Sequence, residues 1–199
     1  SEKDKTEKQI SMYGVSKKTN ELMAHTYSNL YGLNTTGLRF FTVYGPWGRP
    51  DMAMFIFIDK ILNEQPVPIF NNGKMKRDFT YIDDIVEGLK RCCYKPATNE
   101  KSSILNTSAP FRIFNIGNGS PVELMYFISL LGEALGVEVK KEFSPMQDGD
   151  VEETFACTNA LKEWVDYLPK TSIEEGVNKF VEWYKTYHFE CIKKSYKEY

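Results

Sequence analysis

The sequence predicts an α/β fold, and three observations carry that reading. Apolar residues at helical spacing over residues 11–31 run through a Gly/Asn turn into residues 35–43, which are rich in β-branched and aromatic side chains. The beat returns later, with an extended Arg112-Ile113-Phe114-Asn115-Ile116, a Gly117-Asn118-Gly119 turn and a helical pattern to Leu135. A last amphipathic stretch, residues 172–187, places Val177, Phe180, Val181 and Tyr184 on one helix face. Helices alternating with short strands predict a sheet with helices packed against it.

The elements follow in order. Residues 1–9 read as a polar lead-in. Leu22, Met23, Tyr27 and Leu30 define the first helix, which Gly32 ends. Residues 35–43 then form a buried strand. Tyr44-Gly45-Pro46-Trp47-Gly48-Arg49-Pro50 is a loop punctuated by two Gly and two Pro. Asp51 caps a helix over 52–63. Residues 67–70 make a short strand, closed by Asn71-Asn72-Gly73, and residues 77–81 a second. Asp83 or Asp84 starts a helix to about Tyr94, and residues 95–110 form a surface loop. Ser120 caps the next helix, with Glu123 completing a capping box. Residues 137–143 are a strand, 144–153 a loop and 158–164 a short helix.

The chain has 199 residues, 42% hydrophobic and 26% charged, which suits a globular protein with a real core. A net charge of −2 argues against a general nucleic-acid binder, and no apolar run approaches the roughly 18 residues of a membrane span. The polar start does not read as a signal peptide. Cys92, Cys93, Cys157 and Cys191 form no C-x-x-C and read as reduced thiols of a cytoplasmic protein. His25 and His188 lack partners in metal-ligand spacing, so no metal site is expected. The adjacent acids Asp83 and Asp84 are better explained by helix capping than by a metal.

Tyr13-Gly14-Val15-Ser16-Lys17 carries the first chemistry. A Tyr and a Lys four residues apart share a helix face. A cation held beside a phenol favours the phenolate, which moves it toward acid–base work. Spacing alone also fits a packed Tyr beside a solvated Lys.

Three further segments point the same way. Leu38-Arg39-Phe40-Phe41-Thr42-Val43-Tyr44-Gly45-Pro46-Trp47-Gly48-Arg49-Pro50-Asp51-Met52-Ala53 follows the Tyr helix, then Lys76-Arg77-Asp78-Phe79-Thr80-Tyr81-Ile82-Asp83-Asp84, then Gln147-Asp148-Gly149-Asp150-Val151. Their order resembles the extended short-chain dehydrogenase/reductase family, in particular its nucleotide-sugar epimerases and dehydratases. The stretch from Tyr44 to Ala53 looks most like the UDP-glucuronate 4-epimerases. The resemblance runs from about Ser11 to Tyr187.

It implies the end of a Rossmann-like parallel sheet plus a smaller α/β substrate-binding domain. Residues 11–50 would be the Rossmann remnant, and 51–187 mainly the UDP-sugar domain with interleaved Rossmann elements. The family's Gly-rich βαβ turn for the NAD pyrophosphate is absent from these residues: no G-x-x-G-x-x-G occurs. The family's Ser/Thr partner would lie upstream of Ser1. The expectation is therefore a C-terminal portion, inactive by itself, of an NAD-dependent enzyme that pairs as a homodimer through the Tyr helix.

The implied reaction is inversion at C4 of a UDP-uronic acid through a 4-keto intermediate. Tyr13 acts as base and then acid, and Lys17 supports it and holds the nicotinamide ribose. Phe40, Val43 and Tyr44 match positions on the nicotinamide side, though a plain core role suits the apolar pair equally. Arg49 would grip the uronate carboxylate with its planar fork; the alternative is an exposed arginine paired with Asp51. Thr42 would donate to the same carboxylate, or serve only as a β-former. Arg77 matches a diphosphate-binding arginine and Phe70 a uracil contact. Gln147 and Asp150 match a pair that reads phosphate and ribose, with Gln standing where relatives carry Arg. Trp47 reads as a sugar platform or as a loop side chain packed on its own domain. Competing enzymatic readings are a UDP-glucuronate decarboxylase, a UDP-galactose-type epimerase and a sugar 4,6-dehydratase. A non-catalytic UDP-sugar-binding or interaction module is the alternative outside enzymes.

Overall fold

The computed structural model describes residues 1–99, 109–147 and 149–188. Part of the expected 95–110 loop, Asp148 and Cys191 lie outside the described residues.

Helix α1 (Met12–Tyr31) begins where the sequence places it. The Ser11 hydroxyl accepts from the Gly14 amide, and Gly32, at φ 65°, donates its N–H to the Ser28 carbonyl. Only glycine takes that left-handed geometry at no steric cost. The following strand is not one piece. β1 (Thr35–Phe40) runs parallel to β6 (Phe111–Ile116), whereas β2 (Thr42–Tyr44) runs parallel to β5 (Phe79–Tyr81). Phe41 is the switch: its N–H bonds the Ile116 carbonyl, and the next N–H, on Thr42, bonds the Asp78 carbonyl. β1 is also half-exposed rather than buried, because β6 is its one strand partner among the described residues.

Helix α2 (Ala53–Leu62) has Met52 at its N-cap with no side-chain cap. Asp51 does not cap it, because its carboxylate is engaged by Arg49. β3 (Val67–Ile69) leads into a 3₁₀ turn, Phe70–Gly73, where Asn71 and Asn72 take left-handed angles. The expected strand over 77–81 divides at Asp78 into β4 (Lys76–Arg77) and β5. Helix α3 (Ile82–Tyr94) carries Asp83 and Asp84 in its first turn, but neither caps it. Asp84 reaches across to Tyr167 and the Thr171 amide instead.

Ser120 is not a cap either. Residues Val122–Glu123 form β7, antiparallel to β4, and α4 (Leu124–Leu135) starts after them. Strand pairing has displaced the local capping pattern. The strand expected over 137–143 shortens to β8 (Lys141–Phe143), parallel to β3. Helix α5 (Asn159–Val165) follows Thr158, and α6 (Ile173–Trp183), capped by Ser172, passes into a π turn, Tyr184–His188.

The main core gathers α2, α4 and α6 around β2, β3 and β5. Val177, Phe180, Val181 and Tyr184 are buried in it, as their periodicity predicts. Phe79 and Phe127 stack with centroids 4.3 Å apart. A second cluster (Ile85, Cys92, Phe114, Ile116 and Leu161) takes in Leu38 and Val43 and docks α3 and α5 on β6. Both clusters meet the strand region that launches the candidate site.

Candidate functional site

Tyr13, Lys17 and Phe40 line one open cleft of about 530 Å³ between α1 and β1. Tyr13 and Lys17 face it from the first turns of α1, with the Lys17 ammonium 5.1 Å from the Tyr13 ring centroid, a cation–π distance. Phe40 stands at the carboxyl end of β1, half-exposed. In open α/β sheets that end is where ligands bind. The helix face is fixed by a residue that sequence reasoning passed over. Glu21, one turn beyond Lys17, takes a two-pronged bond from Arg39 on β1, at 2.6 and 2.9 Å. Burial pushes the Glu21 carboxyl upward, but bonds from Arg39 and Lys18 outweigh it and hold the group below its ordinary range. The missed signal was a third polar residue continuing the Tyr13–Lys17 stripe at the same spacing.

Thr42, Val43 and Tyr44 line a second, smaller cavity of about 120 Å³ under the 45–48 loop. Val43 packs on the second core cluster. Tyr44 is buried, edge-on to Phe79, Tyr81 and Phe127, and burial pushes its phenol well above the usual range. The loop above is tightly built. A side chain at Gly45, φ 138°, would meet Ile82 at 2.5 Å. Trp47 holds a left-handed φ of 64° and packs on the terminal helix, 4.6 Å from Tyr187 and 5.5 Å from Trp183. Its ring thus packs on its own protein while remaining 70% exposed and lining the small cavity.

Arg49 stands apart on the same loop. Its guanidinium grips Asp51 through two 3.1 Å bonds, with the Arg side chain 75% exposed.

Phe70, Arg77, Gln147 and Asp150 converge on the segment after β8. Arg77 donates to Asp150 at 2.8 Å and to the Glu152 carbonyl at 3.1 Å. The Asp150 amide bonds the Gln147 carbonyl, and Gln147 itself is exposed. The Phe70 turn joins the same segment, since the Asn72 amide donates to Ser144. Arg77 and Asp150, 73 positions apart, are thus bonded directly, Phe70 packs against the main core, and among the described residues Arg49 joins none of them through such a bond.

Tyr13, Lys17 and Phe40 are the residues of this cleft that could hold part of a dinucleotide. A hydroxyl, an ammonium and an exposed aromatic ring, at the carboxyl end of a parallel strand pair, match a ribose bearing a flat ring. A cradle for the pyrophosphate is not formed by any G-x-x-G-x-x-G of this sequence. Among the described residues, no group of three or more His, Cys, Asp or Glu is arranged to hold a metal ion.

Parallel strand pairs with helices packed against them place the chain in the α/β class. The chain belongs to the NAD dependent epimerase/dehydratase family, whose model matches residues 1–117. It is 50% identical over 191 residues to Protein CapI of Staphylococcus aureus, covering 93% of this chain and 57% of that protein. It is 44% identical over 203 residues to UDP-glucuronate 4-epimerase 5 of Arabidopsis thaliana, covering 98% of this chain and 46% of that one. Among solved structures it resembles UDP-glucuronic acid 4-epimerase from Bacillus cereus in complex with UDP-glucuronic acid and NAD. That match has 31% identity and a TM-score of 0.76, over 88% of this chain and 53% of the other. The chain spans about half the length of the relatives it matches.

Proposed function

We propose that this chain is part of a UDP-glucuronate 4-epimerase, interconverting UDP-glucuronate and UDP-galacturonate. The observation that carries the reading is the shared cleft of Tyr13, Lys17 and Phe40 at the carboxyl end of β1. Similarity to relatives bearing that name supports it.

In this reading Tyr13 takes the proton of the sugar C4 hydroxyl and later returns it. Lys17, over the Tyr13 ring, holds the ribose of the cofactor. Phe40 forms the wall on the nicotinamide side, with Val43 and Tyr44 completing it from the neighbouring cavity. NAD, when bound, supplies the hydride acceptor and donor that the protein lacks. Arg49 turns its fork from Asp51 to the uronate carboxylate, and Thr42 donates a hydroxyl to it. Arg77 binds the diphosphate, Asp150 accepts from ribose hydroxyls, Gln147 offers an uncharged contact and Phe70 covers the uracil.

The reading extends to assembly and setting. Leu22, Met23, Tyr27 and Leu30 are each more than half exposed on α1, which suits a helix that pairs two copies into a homodimer. The product is a precursor for polysaccharide biosynthesis, made in the cytoplasm.

The test is calorimetric binding of UDP-glucuronate and UDP-glucose to the 199-residue chain, with and without Arg49→Leu. Product analysis in a chimera that supplies a Gly-rich βαβ half completes it. The expected results are a preference for the uronate that Arg49→Leu abolishes, and UDP-galacturonate as product, lost in Tyr13→Phe. A pentose product would instead indicate decarboxylation, and equal loss for both sugars would remove the carboxylate from Arg49.

A further inference from the structure

Asp78 is fully buried, and its carboxylate is held by three backbone amides. Oδ1 accepts from Asn118 at 2.8 Å, and Oδ2 from Gly119 at 3.0 Å and Ala156 at 2.8 Å. Its own N–H donates to the Thr154 hydroxyl at 3.0 Å, and its carbonyl accepts from the Thr42 amide at 3.1 Å. One residue therefore joins β2, the turn after β6 and the segment carrying residues 154–156. That segment continues back to Glu152 and Asp150, both partners of Arg77, which is the neighbour of Asp78 in sequence. The junction is close-packed: a side chain on Gly117 would meet Ala156 at 2.5 Å and Asp78 at 3.3 Å.

A buried carboxylate is costly unless its oxygens are filled, and here amides from two separate segments fill them. Shape alone would not ask for a charge at this point. An aliphatic side chain would leave three N–H groups unbonded, and an amide side chain would turn an N–H toward one of them. β4, which carries Arg77, pairs with the segment that carries Asp150 through the Lys76 amide on the Glu152 carbonyl and the Thr154 amide on the Lys76 carbonyl, and the carboxylate of Asp78 adds a second tie, locking that segment to the turn after β6.

We propose that Asp78 is the positioning residue of the nucleotide-diphosphate site, setting the separation of Arg77 and Asp150 without touching the ligand. This rests on the reading of Arg77 as a diphosphate contact. Losing one hydrogen bond between Arg77 and the diphosphate weakens binding roughly ten- to a hundredfold.

The experiment is calorimetry of the 199-residue chain with UDP and with uridine, in parallel with thermal melts. Asp78→Asn should weaken UDP roughly ten- to a hundredfold and leave uridine within about twofold, since uridine has no diphosphate to misplace. Thr154→Val removes one bond of the junction and gives a gentler variant should Asp78→Asn fail to fold. It should weaken UDP about three- to tenfold, the worth of one hydrogen bond. Arg77→Ala separates the two ideas. If it loses UDP while Asp78→Asn and Thr154→Val keep it, the positioning role falls and the reading of Arg77 stands. If Arg77→Ala binds UDP like the parent, or the parent binds none, the reading falls and takes the proposal with it. Equal losses for UDP and uridine, tracking the melting temperature, would reduce Asp78 to a purely structural residue.

Discussion

Replacing Asp84 with alanine should destabilise the fold by an amount the structure lets one work out. The Asp84 carboxylate lies in the first turn of α3 and is buried. Oδ1 accepts from the Tyr167 hydroxyl and Oδ2 from the Thr171 amide, both at 2.9 Å. This ties α3 to the chain entering α6. Alanine leaves both donors without that acceptor, and an orphaned buried donor costs about 1–3 kcal/mol. The Tyr167 hydroxyl also reaches the Asp84 backbone carbonyl at 3.2 Å, so its loss is partial. A total of about 3 kcal/mol follows, which in a chain of this size lowers the melting temperature by about 6–12 °C. Tyr167→Phe should cost only about 1 kcal/mol, and the double variant less than the sum. The acid limb gives an independent check. Burial raises the Asp84 carboxyl, but bonds from Thr171 and Tyr167 outweigh it and hold the group below its ordinary range. Its stabilisation is therefore present above the unfolded value and lost as pH falls through the folded one. The gap between wild type and Asp84→Asn should be full at neutral pH and close at acid pH. An Asp84→Ala variant melting within about 1 °C of the parent would refute the reasoning.

Three further outcomes are expected. A methyl on Gly176 would lie 2.7 Å from Tyr44 Cζ, so Gly176→Ala should cost about 1–3 kcal/mol in urea melts. Tyr44→Phe in that background should restore part of it; a Gly176→Ala variant as stable as the parent contradicts the packing. Cys93 is exposed, whereas burial pushes the Cys92 thiol up to about 11, with a smaller push from Cys93. Iodoacetamide at pH 8 should thus alkylate Cys93 well before Cys92 in a peptide map, and equal labelling counts against the assignment. Finally, the 199-residue chain should show no micromolar binding of NAD⁺ by calorimetry, because no G-x-x-G-x-x-G lies within it. A micromolar Kd would mean that other residues cradle the pyrophosphate.

Long periodic signals survived the structure and short local ones did not. Helix α1 keeps its Gly32 stop, and α6 buries the face its spacing marks, because both follow from the chain's own geometry. Asp51 and Ser120 carry equally good capping chemistry and do not cap. Arg49 takes the first, and antiparallel pairing of Val122–Glu123 with β4 moves the helix start past the second. Strand breaks at Phe41 and Asp78 depend on which carbonyl lies opposite, which no local pattern encodes. The site divides the same way. That Tyr13 and Lys17 share a helix face was legible from spacing, whereas the proposed roles of Arg77, Gln147 and Asp150 came from resemblance, and only the fold brings Arg77 to Asp150. Asp78 carried a signal that went unread: an acid between Arg77 and an apolar Phe79-Thr80-Tyr81 run implies a buried charge in need of partners.

The two arginines of the proposed substrate site are each held by a carboxylate of the chain itself, and the difference between them bears on how the site works. Arg49 and Asp51 are both largely exposed, and an exposed pair of this kind is worth about 0–1 kcal/mol. A substrate carboxylate offering the same fork geometry in a closed site can displace Asp51 at little cost. The Arg77 side chain is 15% exposed and anchored by backbone carbonyls as well as by Asp150. It is positioned before any ligand arrives and has no need to move. The proposed site thus pairs a fixed grip on the nucleotide, set by the amide-filled carboxylate of Asp78, with an exchangeable grip on the sugar acid. That division suits a reaction in which the nucleotide stays bound while the sugar presents both faces of C4 in turn.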